Sequence, residues 1–152
     1  MEGDAELQDL YRETLLDYFR SAARKGTADP ADVRAHGINP VCGDELEITA
    51  RREGGRLAVV RYAGHGCVIS QASAAMMAEA LEGASVEKAR ELVAAFKAMM
   101  TKNAPLESLP AELETAAALE GVRRFPLRVK CATLGWNTLA QGLDAAEGKK
   151  NV

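Results

Sequence analysis

Between Glu45 and Tyr62 the chain changes character every second residue, and this stretch restricts the fold more than any other. Glu45-Leu-Glu-Ile-Thr-Ala-Arg51 alternates charged and apolar positions, which predicts a strand with one wet face. Glu53-Gly-Gly-Arg56 reads as a hairpin turn, since glycine supplies the positive φ that tight turns need, and the valine-rich run Leu57–Tyr62 is the returning strand. Past Gly64-His-Gly-Cys67 the period switches to helical. One helix is expected over 70–82 and ends at Gly83; a second follows Ser85 as N-cap and runs to Met100.

The flanks are read in the same way. From about Glu6 to Ala23, Leu7, Leu10, Tyr11, Leu15, Tyr18 and Phe19 form a helical apolar stripe that stops at Lys25-Gly26. Residues 26–40, rich in Gly, Pro, Asp and Ala, read as an extended loop. Pro105 and Pro110 mark a break, and Pro110 at a first-turn position predicts a short helix before Gly121. Phe125-Pro126 forces an extended approach to a last helix running from about Lys130 through Trp136 and Leu139 to near Leu143. The tail from Glu147 is expected to fray. The fold class is α+β: a small antiparallel sheet with helices packed on one face, in a single domain over 1–152 with an ordered core at about 6–145.

At 152 residues the chain is long enough to bury a core without staples. A net charge of −3 argues against nucleic acid as a constitutive partner. No run of about 18 apolar residues could span a bilayer, and the acidic opening Met1-Glu-Gly-Asp-Ala-Glu is unlike a secretory signal, so a cytoplasmic protein is expected. In a reducing compartment an odd set of three cysteines points to metal binding or catalysis.

Those cysteines sit in Asn39-Pro-Val-Cys-Gly-Asp44, Gly64-His-Gly-Cys67 and Arg128-Val-Lys-Cys131. Three thiols and the carboxylate of Asp44 are the inventory of a tetrahedral Zn²⁺ site or an iron–sulfur site. Cys42 and Asp44 are placed on the loop entering the first strand. Cys67 and Cys131 are placed at helix starts, where the helix dipole favours thiolate. A purely structural zinc module would use closely spaced cysteine pairs, unlike these separated single residues.

In these segments the chain resembles the U-type scaffold family of iron–sulfur cluster assembly, which has a SufE/NifU-like fold. The likeness runs from Asp9-Leu-Tyr-Arg-Glu-Thr-Leu-Leu-Asp-Tyr18 to the last helix. It is strongest in Asn39–Asp44, in Gly64-His-Gly-Cys-Val-Ile-Ser-Gln-Ala-Ser-Ala-Ala-Met-Met77 and in Val129-Lys-Cys-Ala-Thr-Leu-Gly-Trp136. Scaffolds resembling IscU place a histidine before the third cysteine and a Leu-Pro-Pro-Val-Lys motif upstream. Here Lys130 precedes Cys131 and the upstream stretch is Arg124-Phe-Pro-Leu-Arg-Val-Lys130. The proline-broken material near 103–120 fits the insertion carried by the SufU branch.

The resemblance implies Zn²⁺ held by Cys42, Asp44, Cys67 and Cys131, with an iron–sulfur cluster as the alternative occupant. It implies a pyridoxal-phosphate cysteine desulfurase of the SufS type as sulfur donor and a SufBCD-type assembly complex downstream. It also implies that a desulfurase histidine displaces Cys42 from the zinc, freeing that thiol to accept persulfide sulfur. On softness alone Asp44 is the ligand poorest matched to zinc, and so the one expected to yield to the histidine. Arg128 matches a family arginine near the metal, where it would hold Asp44 or a partner's charge. His65 reads as an exposed loop residue and His36 as structural or exposed. The Met76-Met77 and Met99-Met100 pairs read as core or interface filler, and Trp136 reads as core.

Overall fold

The computed structural model describes residues 2–148, with side chains from Gln8 onward. Helix α1 (Glu2–Arg20) is followed by β1 (Val33–Asn39), β2 (Asp44–Glu53) and β3 (Arg56–His65). Helices α2 (Val68–Leu81) and α3 (Val86–Lys102) come next, then 3-10 segments at Leu106–Ser108 and Ala111–Arg124, and α4 (Pro126–Ala146). The three strands form one antiparallel sheet in the order β1-β2-β3.

The hairpin lies where the period-two pattern puts it. Leu46, Ile48 and Ala50 of β2 and Val60 and Tyr62 of β3 point to one face and are buried there, with Ile48 opposite Tyr62 and Ala50 opposite Val60. Strand β1 corrects the loop expected over 26–40. Val33 pairs with Ala50 and Asn39 with Asp44. The strand is hard to read locally because Gly37 replaces an apolar residue on the inward face. A Cβ there would collide with Thr138 and Leu134 of α4, so glycine is what lets the helix lie against the strand. The wet face is partly roofed as well. After α1 the chain bonds the free edge of β3 (Gly26 N–H to Tyr62 O, 2.9 Å), and the Ala28 N–H then reaches the hydroxyl of Thr49 at 2.8 Å, which buries both residues.

The helices cover the inner face. The N-terminal stripe is narrower than expected: Tyr11, Leu15 and Tyr18 pack on the core, whereas Leu10 is 60% exposed and the side chain of Leu7 lies outside the described residues. The helix also stops earlier, at Arg20, and Lys25 pairs alongside Tyr62. Ser85 caps α3 by accepting the Lys88 N–H at 3.1 Å, as its sequence position predicts. Both methionine pairs and Trp136 are buried; the Trp136 ring stacks on Phe96 at 4.1 Å and its indole N–H donates to Ser73 at 2.9 Å. Glu82 accepts from Arg61 (2.7 Å), Arg24 (3.3 Å) and the Val60 N–H (3.3 Å), tying the end of α2 to β3 and to the segment after α1.

Two boundaries shift. The short helix after Pro110 is a 3-10 run broken at Leu113. Helix α4 begins at Pro126 rather than near Lys130: the extended Phe125 precedes a proline whose fixed φ suits a first helical turn. At the other end Glu147 is held by Arg90 at 2.9 Å, so fraying does not reach it, and residues 149–152 lie outside the described residues.

Candidate metal centre

Because 33–39 is a strand, Cys42 sits in the tight β1–β2 connection and Asp44 opens the central strand, not the first one. Cys67 is the N-cap of α2, its sulfur accepting the Ser70 N–H at 3.4 Å. Cys131 comes from α4. The ligand atoms of Cys42, Asp44 and Cys131 lie within 4.8 Å of one another. Cys67 falls outside that trio, yet its thiol is close enough to Cys131 to act on it electrostatically.

Asp44 is fully buried and thoroughly bonded. Its Oδ1 accepts the Cys67 N–H (2.9 Å) and the Ser70 hydroxyl (3.1 Å), and its Oδ2 accepts the Asn39 amide (3.2 Å). Burial works against the charge, but bonds from the Cys67 N–H, the Cys131 thiol, Ser70 and Asn39 outweigh it and hold the carboxyl below its ordinary range. This bears on the expectation that Asp44 is the readiest ligand to yield. Softness makes it the weakest match to zinc, but these four protein donors hold it in position. Gly66 serves the same arrangement: its φ of 157° is favourable for glycine, and a Cβ would press on Asp44 and Ser70.

Cys131 also departs from expectation. With α4 starting at Pro126, it lies in the second turn, beyond the free N–H groups of the helix end. It is fully buried, and burial pushes its thiol strongly upward, with Cys42, Asp44 and the charge of Cys67 adding to the effect. A buried carboxylate crowded against thiols is a donor set that fits a divalent cation, which would favour the deprotonated sulfurs. Cys42, by contrast, is only half-buried, between the exposed Val41 and Gly43 at φ 71°.

The sequence reading missed Asn39 and Ser70. The Asn39 amide bridges the Asp44 carboxylate and the Cys131 sulfur (3.4 Å), which lies 92 positions away, so no local pattern points to it. Arg128 takes no part in holding Asp44. It lines a groove with Tyr11, Leu15, Ile69, Val122 and Phe125, beside the first turn of α4.

Among known proteins, the zinc-dependent sulfurtransferase SufU of Bacillus subtilis (strain 168) is 36% identical over 148 residues, covering 97% of this chain and 99% of that protein. The iron–sulfur cluster assembly scaffold protein IscU of Streptococcus pyogenes serotype M1 is 34% identical, covering 97% and 91%. The crystal structure of FiSufU from Fervidobacterium islandicum AW-1 superposes with a TM-score of 0.77 at 31% identity, over 86% of this chain and 94% of that one. The family model described as the NifU-like N terminal domain matches residues 10–151, from the first helix through all three cysteine segments, and the chain belongs to that family.

Proposed function

We propose that this protein works in iron–sulfur cluster assembly as a zinc-dependent sulfur acceptor. Cys42, Asp44, Cys67 and Cys131 hold Zn²⁺, and Cys42 takes sulfur from the persulfide of a SufS-type cysteine desulfurase. The sulfur then passes to a SufBCD-type complex in the cytoplasm. What carries the reading is an asymmetry of anchoring: Asp44 and Cys131 are fully buried, and Cys67, half-buried like Cys42, is bound into a helix cap, whereas Cys42 sits on a turn. Zinc in such a site keeps thiols deprotonated without redox chemistry of its own. The Cys42 thiolate attacks the outer sulfur of the donor persulfide; the new S–S bond leaves a persulfide on Cys42, and the old bond breaks to return the donor cysteine as thiolate. Arg128, exposed at the groove beside α4, is the cation we assign to an acidic group of the partner.

The test combines a desulfurase assay with mass-spectrometric location of the persulfide. Cys42→Ala should abolish stimulation of the desulfurase and leave no persulfide on the chain. Full stimulation by Cys42→Ala, with loss only in Cys131→Ala, would refute the assignment. The likeness to IscU of S. pyogenes favours a second reading, a scaffold for an assembling cluster, because thiolates hold iron as readily as zinc. Anaerobic reconstitution with iron and sulfide separates the two: a chromophore that moves to apo-acceptors supports the scaffold, and retained stoichiometric zinc supports the sulfur acceptor.

A further inference from the structure

The chain contains two histidines, and both end against the same carboxylate. His36 Nε2 lies 2.7 Å from Glu45 Oε1, and His65 Nε2 lies 3.4 Å from Glu45 Oε2. The sheet register accounts for the meeting. Glu45 on the central strand is paired with Ile38 on one side and His65 on the other, and His36 lies two residues from Ile38 on the same face of β1. The side chains from β1 and β3 therefore flank the Glu45 carboxylate on the wet face, one at each oxygen. Asp44, one residue earlier, points to the opposite face, so this cluster shares no ligand with the thiol site. Among the described residues the ion-pair partners of Glu45 are these two histidines alone, while the neighbouring Glu47 is engaged by Arg34 at 3.5 Å.

We propose that His36, Glu45 and His65 form a second, weaker site for a divalent transition-metal ion on the outer face of the sheet. Two imidazoles and one carboxylate suit Zn²⁺, Co²⁺, Ni²⁺ or Fe²⁺; Mg²⁺ and Ca²⁺ prefer all-oxygen sets. The rings now bond to separate carboxylate oxygens, so binding requires them to turn toward a common point. Their side chains are 50% and 74% exposed, which leaves that rotation open. Ordering exposed side chains costs entropy, and the ligands include no thiolate, so affinity falls below that of the buried cysteine site. The inference does not rest on the sulfur-acceptor reading.

Calorimetric titration of the full chain with Zn²⁺ at pH 7.5, after one equivalent has been loaded, tests it. A second equivalent should bind in the micromolar range, persist in excess Mg²⁺, and shift the ring-nitrogen resonances of both histidines. The double variant His36→Ala/His65→Ala, with both positions exposed and its fold checked by circular dichroism, should lose the second step and keep the first. Glu45→Gln should weaken the second step about tenfold or more. Absence of a second equivalent, its survival in the double variant, or a shift of one histidine alone would overturn the proposal. Because the histidine resonances report on this site directly, they decide the matter whether or not the thiols take up the first ion.

Discussion

Replacing Asn39 with alanine tests how the buried carboxylate is held. Asn39 is 5% exposed, and its amide donates to Asp44 Oδ2 at 3.2 Å and to Cys131 Sγ at 3.4 Å. A hydrogen bond to a charged group contributes about 1.5–3 kcal/mol, and the sulfur contact is long, so we assign about 2 kcal/mol to the pair. In a chain of this length that corresponds to a fall in melting temperature of about 4–8 °C. The buried Oδ2 loses its amide donor, and the carboxylate loses one of the contacts that aim it at the thiols. Removing such an outer-shell partner lowers metal affinity by about 10–100-fold. Thermal unfolding of the metal-free chain and competition for zinc against a chromophoric chelator measure the two effects separately. Asn39→Asp should be worse than alanine for metal-free stability, because a second carboxylate would face Asp44. Unchanged melting and unchanged zinc affinity in Asn39→Ala would refute the claim that this amide positions the site.

Two further substitutions probe the frame around it. Burial opposes ionisation of Glu82, but its bonds to Arg61, the Val60 N–H and Arg24 prevail and hold its carboxyl below the ordinary value of 4.5. Its contribution is therefore complete above that pH and lost as pH falls through the lowered folded value. Glu82→Gln should cost about 1–2 kcal/mol at pH 7, and urea titrations should show the gap closing once the medium is more acidic than 4.5. Trp136→Ala removes a fully buried ring, its stack on Phe96 and its bond to Ser73, and should cost about 3–5 kcal/mol by circular dichroism-monitored denaturation. A loss under about 1 kcal/mol would mean that the core between α3 and α4 repacks easily.

Much of this was legible in the chain itself. The β2–β3 hairpin, the cap of α3 at Ser85 and the placement of Cys67 at the start of α2 follow from period, turn chemistry and capping, all of which act within a few residues. The three thiols and Asp44 were visible as a donor inventory for the same reason: each carries its own local motif. Tertiary structure decided what those signals do not contain. Strand β1 exists because 33–39 pairs with β2 and accepts α4 through Gly37, whose missing side chain erased the alternation. Cys131 lies in the second turn of α4 because the helix starts at Pro126, so burial beside Asp44 and the other thiols sets its chemistry in place of a helix end. Asp44 is fixed because its donors come from 5, 23 and 26 positions away. Composition and spacing pointed to the candidate donors, but how firmly each is held depends on contacts distant in sequence, and only the folded chain brings those together.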